Sequence, residues 1–187
     1  IPSSQDFLAT ILEAMKSNTV LQMTFQSFSM QEAKTFLVEP YCVKMSAQRW
    51  YMLARNVDYN YLRLYSLDRM EDVKLTDAHF VLPKDFCAKE YFAEYFGIVL
   101  DESAPLQRIV LRADKYHQHY MRTLPLHHSQ KEIYACDDYA DFELTLRPTY
   151  DFYMKLMSFG NMIKVLEPKS LQEKICKWLD KTLEVYK

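Results

Sequence analysis

Two short stretches of the 187-residue chain place arginine beside tyrosine at strand spacing: Arg49-Trp50-Tyr51-Met52-Leu53-Ala54-Arg55 and Tyr61-Leu62-Arg63-Leu64-Tyr65. With a period of two, Arg49, Tyr51, Leu53 and Arg55 face one way. Trp50, Met52 and Ala54 face the other, with Trp50 as the anchor of a small core. An arginine fork offers paired donors to a phosphate or carboxylate, and a tyrosine ring offers a stacking face and a hydroxyl. On neighbouring strands, Arg49, Tyr51, Arg63, Tyr65 and Arg69 could line a pocket for an anionic or flat aromatic ligand. The alternative is a solvated strand surface with Asp58, Asp68 and Glu71 as ion-pair partners.

Other chemistry is poorly served. His117 and His119 fall on an expected helix at a spacing that points them apart, and neither they nor His127 and His128 have acids or cysteines at ligand spacing, so no metal is expected. Ser27, Ser29, Ser46 and Ser66 lack a nucleophile-elbow setting. Cys42, Cys87, Cys136 and Cys176 form no CxxC pair and are read as reduced, buried thiols of a cytoplasmic protein. Two glycines in the whole chain exclude glycine-rich phosphate loops. The net charge of −2 provides no global field for nucleic acid, so anion binding must be local. Nothing argues for catalysis or a cofactor, and the chain is read as a binding protein rather than an enzyme. No apolar run spans a membrane and no signal peptide is evident. The chain opens on Ile1 rather than Met, so a preceding segment is expected.

The pattern predicts an α+β chain. A helix over 3–17 carries capping-box spacing at Ser3 and Asp6 and a stripe of Phe7, Leu8, Ile11, Leu12 and Met15. Five short strands follow over 20–75, interrupted by Pro40, and imply a small bent barrel over 20–82 on which residues 1–19 pack. An aromatic helix is expected over 83–97, started by Pro83 and capped by Gly97, and a linker runs to 105. From 106 to 187 the order strand, helix, strand, strand, helix, strand is the split-βαβ pattern of a ferredoxin-like sandwich. Phe142, Leu144 and Leu146 point inward there. A last helix starts at a Ser170–Glu173 capping box and buries Leu171, Ile175, Leu179, Leu183 and Tyr186.

Arg49-Trp50-Tyr51-Met52-Leu53, then Arg63-Leu64-Tyr65-Ser66-Leu67-Asp68-Arg69-Met70, resembles the WYL domain, and Glu39-Pro40-Tyr41 fits that family's proline-containing strand. From about residue 106, Pro125-Leu126-His127-His128-Ser129-Gln130, Phe159-Gly160 and Val165-Leu166-Glu167-Pro168 resemble the extension that commonly follows it. The resemblance implies an Sm-like, SH3-type β-barrel in a bacterial transcription regulator that senses single-stranded nucleic acid or a nucleotide-like ligand. It implies Tyr41, Tyr51, Arg63 and Arg69 as pocket residues, with Ser27 and Arg49 as further candidates. It also implies a homodimer, and duplex-DNA binding through a winged helix-turn-helix that would precede Ile1. Phe25 stands where the family often has tyrosine, and Ser66 where it often has arginine. A module for protein interaction or dimerisation, with no small ligand, is the competing reading.

Overall fold

A computed structural model describes residues 5–187, and the chain divides into two compact units between Ala88 and Lys89. In the first, α1 (Gln5–Ser17) buries Ile11 and Ala14 fully, with Phe7, Leu8 and Met15 packed around them. Leu12, expected in that stripe, is exposed, because it falls on the far side of the i, i+3, i+4 row that meets the sheet. Ser3 lies outside the described residues, and with it the expected capping box. Asn18 takes a left-handed φ of 51° and turns the chain out of the helix, a conformation asparagine tolerates.

The strands β1 (Thr19–Phe25), β2 (Lys34–Ser46), β3 (Arg49–Asn56), β4 (Tyr61–Ser66) and β5 (Met70–His79) form one antiparallel sheet in the order β4-β3-β2-β1-β5. Ala47 and Gln48 join β2 to β3 with φ of 46° and 63°, the twist of a two-residue hairpin built without glycine. Pro40 sits at a bulge: Pro40 faces Ala54 and Cys42 faces Leu53, so Tyr41 is the extra residue. The sheet is not a closed barrel. A single 3₁₀ turn, Leu67–Arg69, redirects the chain after β4, so β5 pairs with β1 and not with β4.

Trp50 is not the core anchor. It is half-buried at the margin of a cluster whose fully buried members include Leu21, Met23, Met52 and Tyr65. Tyr65 is the largest side chain there, 1% exposed and edge-on to Phe25 at 5.2 Å. Burial pushes its hydroxyl above the ordinary tyrosine range, as it does for Tyr41 and Tyr95. A raised folded pKa means that the unfolded chain ionises first. The stability these groups contribute is therefore intact below about pH 10 and is lost as pH rises through the folded values. Thermal melts from about pH 8 to about pH 11 are expected to show a falling Tm above about pH 10 and a shallower fall for Tyr65→Phe. Parallel profiles for the two proteins would remove Tyr65 as a source.

At the division between the units, α2 (Ala88–Tyr91) is one turn long, and the expected helix over 83–97 does not form. Distant residues hold this stretch instead: backbone Arg147 N donates to Glu94 O, and just beyond it the Asp151 carboxylate accepts from Ile98 N and Val99 N. Then come β6 (Gln107–Asp114), α3 (His117–Thr123), β7 (Lys131–Ala135), β8 (Tyr139–Leu146), α4 (Tyr150–Ser158), β9 (Ile163–Glu167) and α5 (Lys169–Val185). The second sheet is antiparallel throughout, in the order β7-β8-β6-β9. Phe142, Leu144 and Leu146 do point inward, and Gly160 closes α4 with a φ of 58°. Asp141 is buried because Arg112, opposite it in register, covers it with two 2.8 Å hydrogen bonds.

The α5 helix begins one residue before Ser170, with Pro168 as N-cap and no side-chain cap, so the capping box is not used. Only Leu171 is buried. Ile175 and Trp178 are partly buried, while Leu179, Leu183 and Tyr186 are exposed, because the C-terminal half of α5 runs past the surface that the N-terminal half covers. The four thiols are free, and none is buried: Cys87 and Cys176 are exposed, and Cys42 and Cys136 are intermediate.

Candidate anion-binding site

Pairing of β1 with β5 sets Phe25 opposite Met70. Residues just past β1 therefore lie beside the 3₁₀ turn that leads into β5, and Gln26 N donates to Arg69 O at 3.2 Å. The loop turns back on itself, with Met30 N donating to Ser27 O and the Gln26 amide donating to Met30 O and Gln31 O. The result is a pocket of about 650 Å³ lined by Gln26, Ser27, Phe28, Asp68, Arg69 and Glu71, among others.

The Arg69 guanidinium lies 4.1 Å from the centroid of the Phe28 ring. Phe28 is 84% exposed, so a large apolar ring stands in water against a cation. The Arg69 Nε is shielded from solvent and has no acceptor among the described residues, where Arg69 also forms no ion pair. An unmet charged donor is costly, and an oxygen of an anionic ligand would satisfy it. Ser27 is buried, with its hydroxyl 3.0 Å from that of Ser29. Two carboxylates share the pocket. Asp68 is engaged by Arg49 at 3.1 Å and by the Ser66 hydroxyl, whereas Glu71 forms no ion pair among the described residues and restricts where an anion can sit.

The six candidate residues are thus not one constellation. Ser27 and Arg69 share the pocket, and Arg49 reaches it through Asp68. Arg63 is exposed, with its guanidinium 5.8 Å from the Tyr65 ring, and it stands opposite Ala54 on the face that packs toward α1. Tyr51 stands opposite Ser66 on the other face and is buried. Tyr41, only 7% exposed, stacks on Phe80 at 6.1 Å and meets Phe86 edge-on at 5.0 Å. Both departures from the family pattern fall on buried positions, Phe25 and Ser66, each 3% exposed. Phe28, Gln26 and Met30 were missed by sequence reasoning. Local patterning does not single them out; the pairing of β1 with the strand after Arg69 brings the loop that carries them beside that arginine.

Among the described residues no group of three or more His, Cys, Asp and Glu side chains could hold a metal ion, and no helix is long and apolar enough to cross a membrane. No curated protein matches the chain. Among solved structures it is similar to Proteasome accessory factor B/C (PafBC) of Arthrobacter aurescens, at 22% identity over 90% of this chain and 25% of that one, with a TM-score of 0.44. It is also similar to a CRISPR Cas-related protein, at 13% identity over 98% of this chain and 52% of the other, with a TM-score of 0.54, a likeness of fold. The chain thus spans about a quarter and about half of these two proteins. The WYL domain family matches residues 6–75, which contain β1 to β4 and the Arg69 pocket, and the WCX domain family matches residues 105–183. The chain belongs to the WYL-domain family, with a WCX domain following the WYL domain.

Proposed function

We propose that this chain is the ligand-sensing part of a cytoplasmic transcription regulator and that its WYL domain binds a single-stranded nucleic acid or a nucleotide-like anion at Arg69. One observation carries the reading: a cation held over an exposed aromatic ring, with a shielded donor that no described residue satisfies. A phosphate pairs with the guanidinium, a base stacks on Phe28, and Ser27 supplies a hydroxyl. Arg49 adds charge beside the pocket through Asp68, Arg63 stands apart on the α1-facing side of the sheet, and Tyr41 and Tyr51, both buried, shape the sheet. Residues 20–82 are read as an Sm-like barrel left open. Residues 106–187 are read as a ferredoxin-like unit, a reading its strand order supports. The role is binding rather than catalysis. Ligand binding shifts a homodimer between states, which requires different affinity for each.

Fluorescence anisotropy of the 187-residue chain with labelled single-stranded DNA, single-stranded RNA and duplex DNA tests this. Single strands are expected to bind more tightly than duplex and to weaken with added salt. Arg69→Ala is expected to lose about tenfold or more in affinity. Equal binding by Arg69→Ala would overturn the site. Absence of binding to all three, and to a nucleotide panel in a thermal-shift screen, would favour an interaction module. The exposed apolar residues of α5, Leu179 and Leu183, with Tyr186 just beyond its end, would then be its surface.

A further inference from the structure

The second unit contains a cavity that the Arg69 reading does not use. It measures about 410 Å³ and opens between α3, the loop after it, and the C-terminal end of α4. Its floor is core: Met121 and Ile163 are buried members of the main cluster. Its walls are aromatic. The His117 ring lies 5.5 Å from Tyr120 and 6.3 Å from Phe159, centroid to centroid. At its rim, Tyr120 and Leu124 stand 67% and 77% exposed, a cost in water that a bound apolar body would remove.

The charge of the lining is one-sided. Lys155 is half-buried, its Nζ lies 4.7 Å from the centroid of the Phe159 ring, and it forms no ion pair among the described residues. No acidic side chain lines the cavity. Asp114 comes near, 3.4 Å from His117 Nδ1, but its carboxylate already accepts from Tyr116 N and His117 N at the start of α3. A cation held against a ring beside an apolar cavity of ligand size recognises one chemical class. We propose that this cavity binds a small amphipathic organic anion, with a flat apolar body between Tyr120 and Phe159 and a carboxylate or sulfonate on Lys155. A neutral apolar molecule would leave Lys155 unused, and an organic cation would be repelled by it.

The probe is 1-anilinonaphthalene-8-sulfonate, titrated by fluorescence into the whole chain and competed with 2-naphthoate and with uncharged 2-naphthalenemethanol. A saturable single site is expected, with 2-naphthoate displacing the probe at least about fivefold better than the alcohol. Lys155→Met, which keeps the packing and removes the charge, is expected to weaken the probe about fivefold. Leu124→Asp, at an exposed rim position, is expected to weaken it about tenfold or more. Circular dichroism and Tm of both variants should match the parent, and Arg69→Ala should bind the probe as the parent does. A Lys155→Met titration superimposable on the parent, non-saturating binding, or equal competition by acid and alcohol would each overturn the proposal. Loss of the probe in Arg69→Ala with none in Lys155→Met would assign the binding to the first unit and also overturn it.

Discussion

Gly97→Ala is expected to lower folding stability by about 2–4 kcal/mol, the range for overpacking added to broken buried hydrogen bonds. A Cβ built at position 97 falls 2.2 Å from Asp151 Oδ2 and 3.0 Å from its Cγ. The far end of a free side chain would swing aside at small cost, but this carboxylate is tied on both oxygens. Oδ2 accepts from Ile98 N at 2.8 Å and Val99 N at 3.1 Å, and Oδ1 accepts from Thr149 Oγ1 at 2.7 Å and Phe152 N at 3.0 Å. Moving it releases two backbone donors in a segment with little regular structure of its own, and disturbs the start of α4 next to Phe152, which is fully buried. Asp151→Ala removes the same acceptor and is expected to cost about as much. In the Asp151→Ala background Gly97→Ala meets only an ordinary contact with the residue 151 Cβ, so its added cost is expected to fall below about 1 kcal/mol. Urea denaturation of the four proteins closes the cycle. Costs that add within about 0.5 kcal/mol would show that the collision is not the cause.

That glycine also marks what the sequence could and could not reveal. Its position after Phe86, Tyr91, Phe92, Tyr95 and Phe96 fits a helix C-cap, a reading that uses local signals alone. The deciding partner, Asp151, lies more than fifty residues away, where no periodicity can find it. The same limit explains the barrel: strand positions follow from alternation, but closure depends on which edge β5 joins, and the 3₁₀ turn at Leu67–Arg69 decides that. The Ala47–Gln48 hairpin has no asparagine or glycine to announce it, yet the strands on either side were legible from their alternation. In the second unit the element order was legible because Gly160 and Pro168 punctuate it. The burial of α5 was not, because an apolar stripe states which residues could be covered and not how far the covering surface extends. At the site, Arg69 comes from the arginine/tyrosine pattern and Ser27 from the family resemblance, and the fold sets the two in one pocket. Tyr41, implied by the resemblance, is the extra residue of the bulge after Pro40 and packs with Phe80 and Phe86, a placement that only the pairing of β2 with β3 reveals.

Arg55→Met is expected to cost about 2–4 kcal/mol and to leave nucleic-acid binding unchanged. Arg55 shares the Arg/Tyr stretch with Arg49, and sequence alone gives it the same claim to a ligand. The structure commits it elsewhere. Its Nε and Nη2 each donate to a Glu39 oxygen at 2.6 Å, and its Nη1 donates to Asn60 Oδ1 at 2.8 Å in the turn before β4. Glu39 and Arg55 face each other in register, and the carboxylate is only 8% exposed, against 39% for the guanidinium. Screening at the open end keeps the net attraction small, so the pair is worth less intact than its loss costs. The cost of the single substitution comes from the stranded carboxylate. Glu39→Gln keeps an acceptor for the guanidinium and is expected to lose only about 1 kcal/mol. The double variant Glu39→Leu with Arg55→Met removes the buried charge and is expected to be more stable than Arg55→Met alone. Urea melts of the three variants, with anisotropy on the same samples, read both parts. A double variant no more stable than Arg55→Met would show that the stranded Glu39 charge is not the source of the cost. Binding lost in Arg55→Met but kept in Arg69→Ala would move the ligand to the opposite end of the sheet.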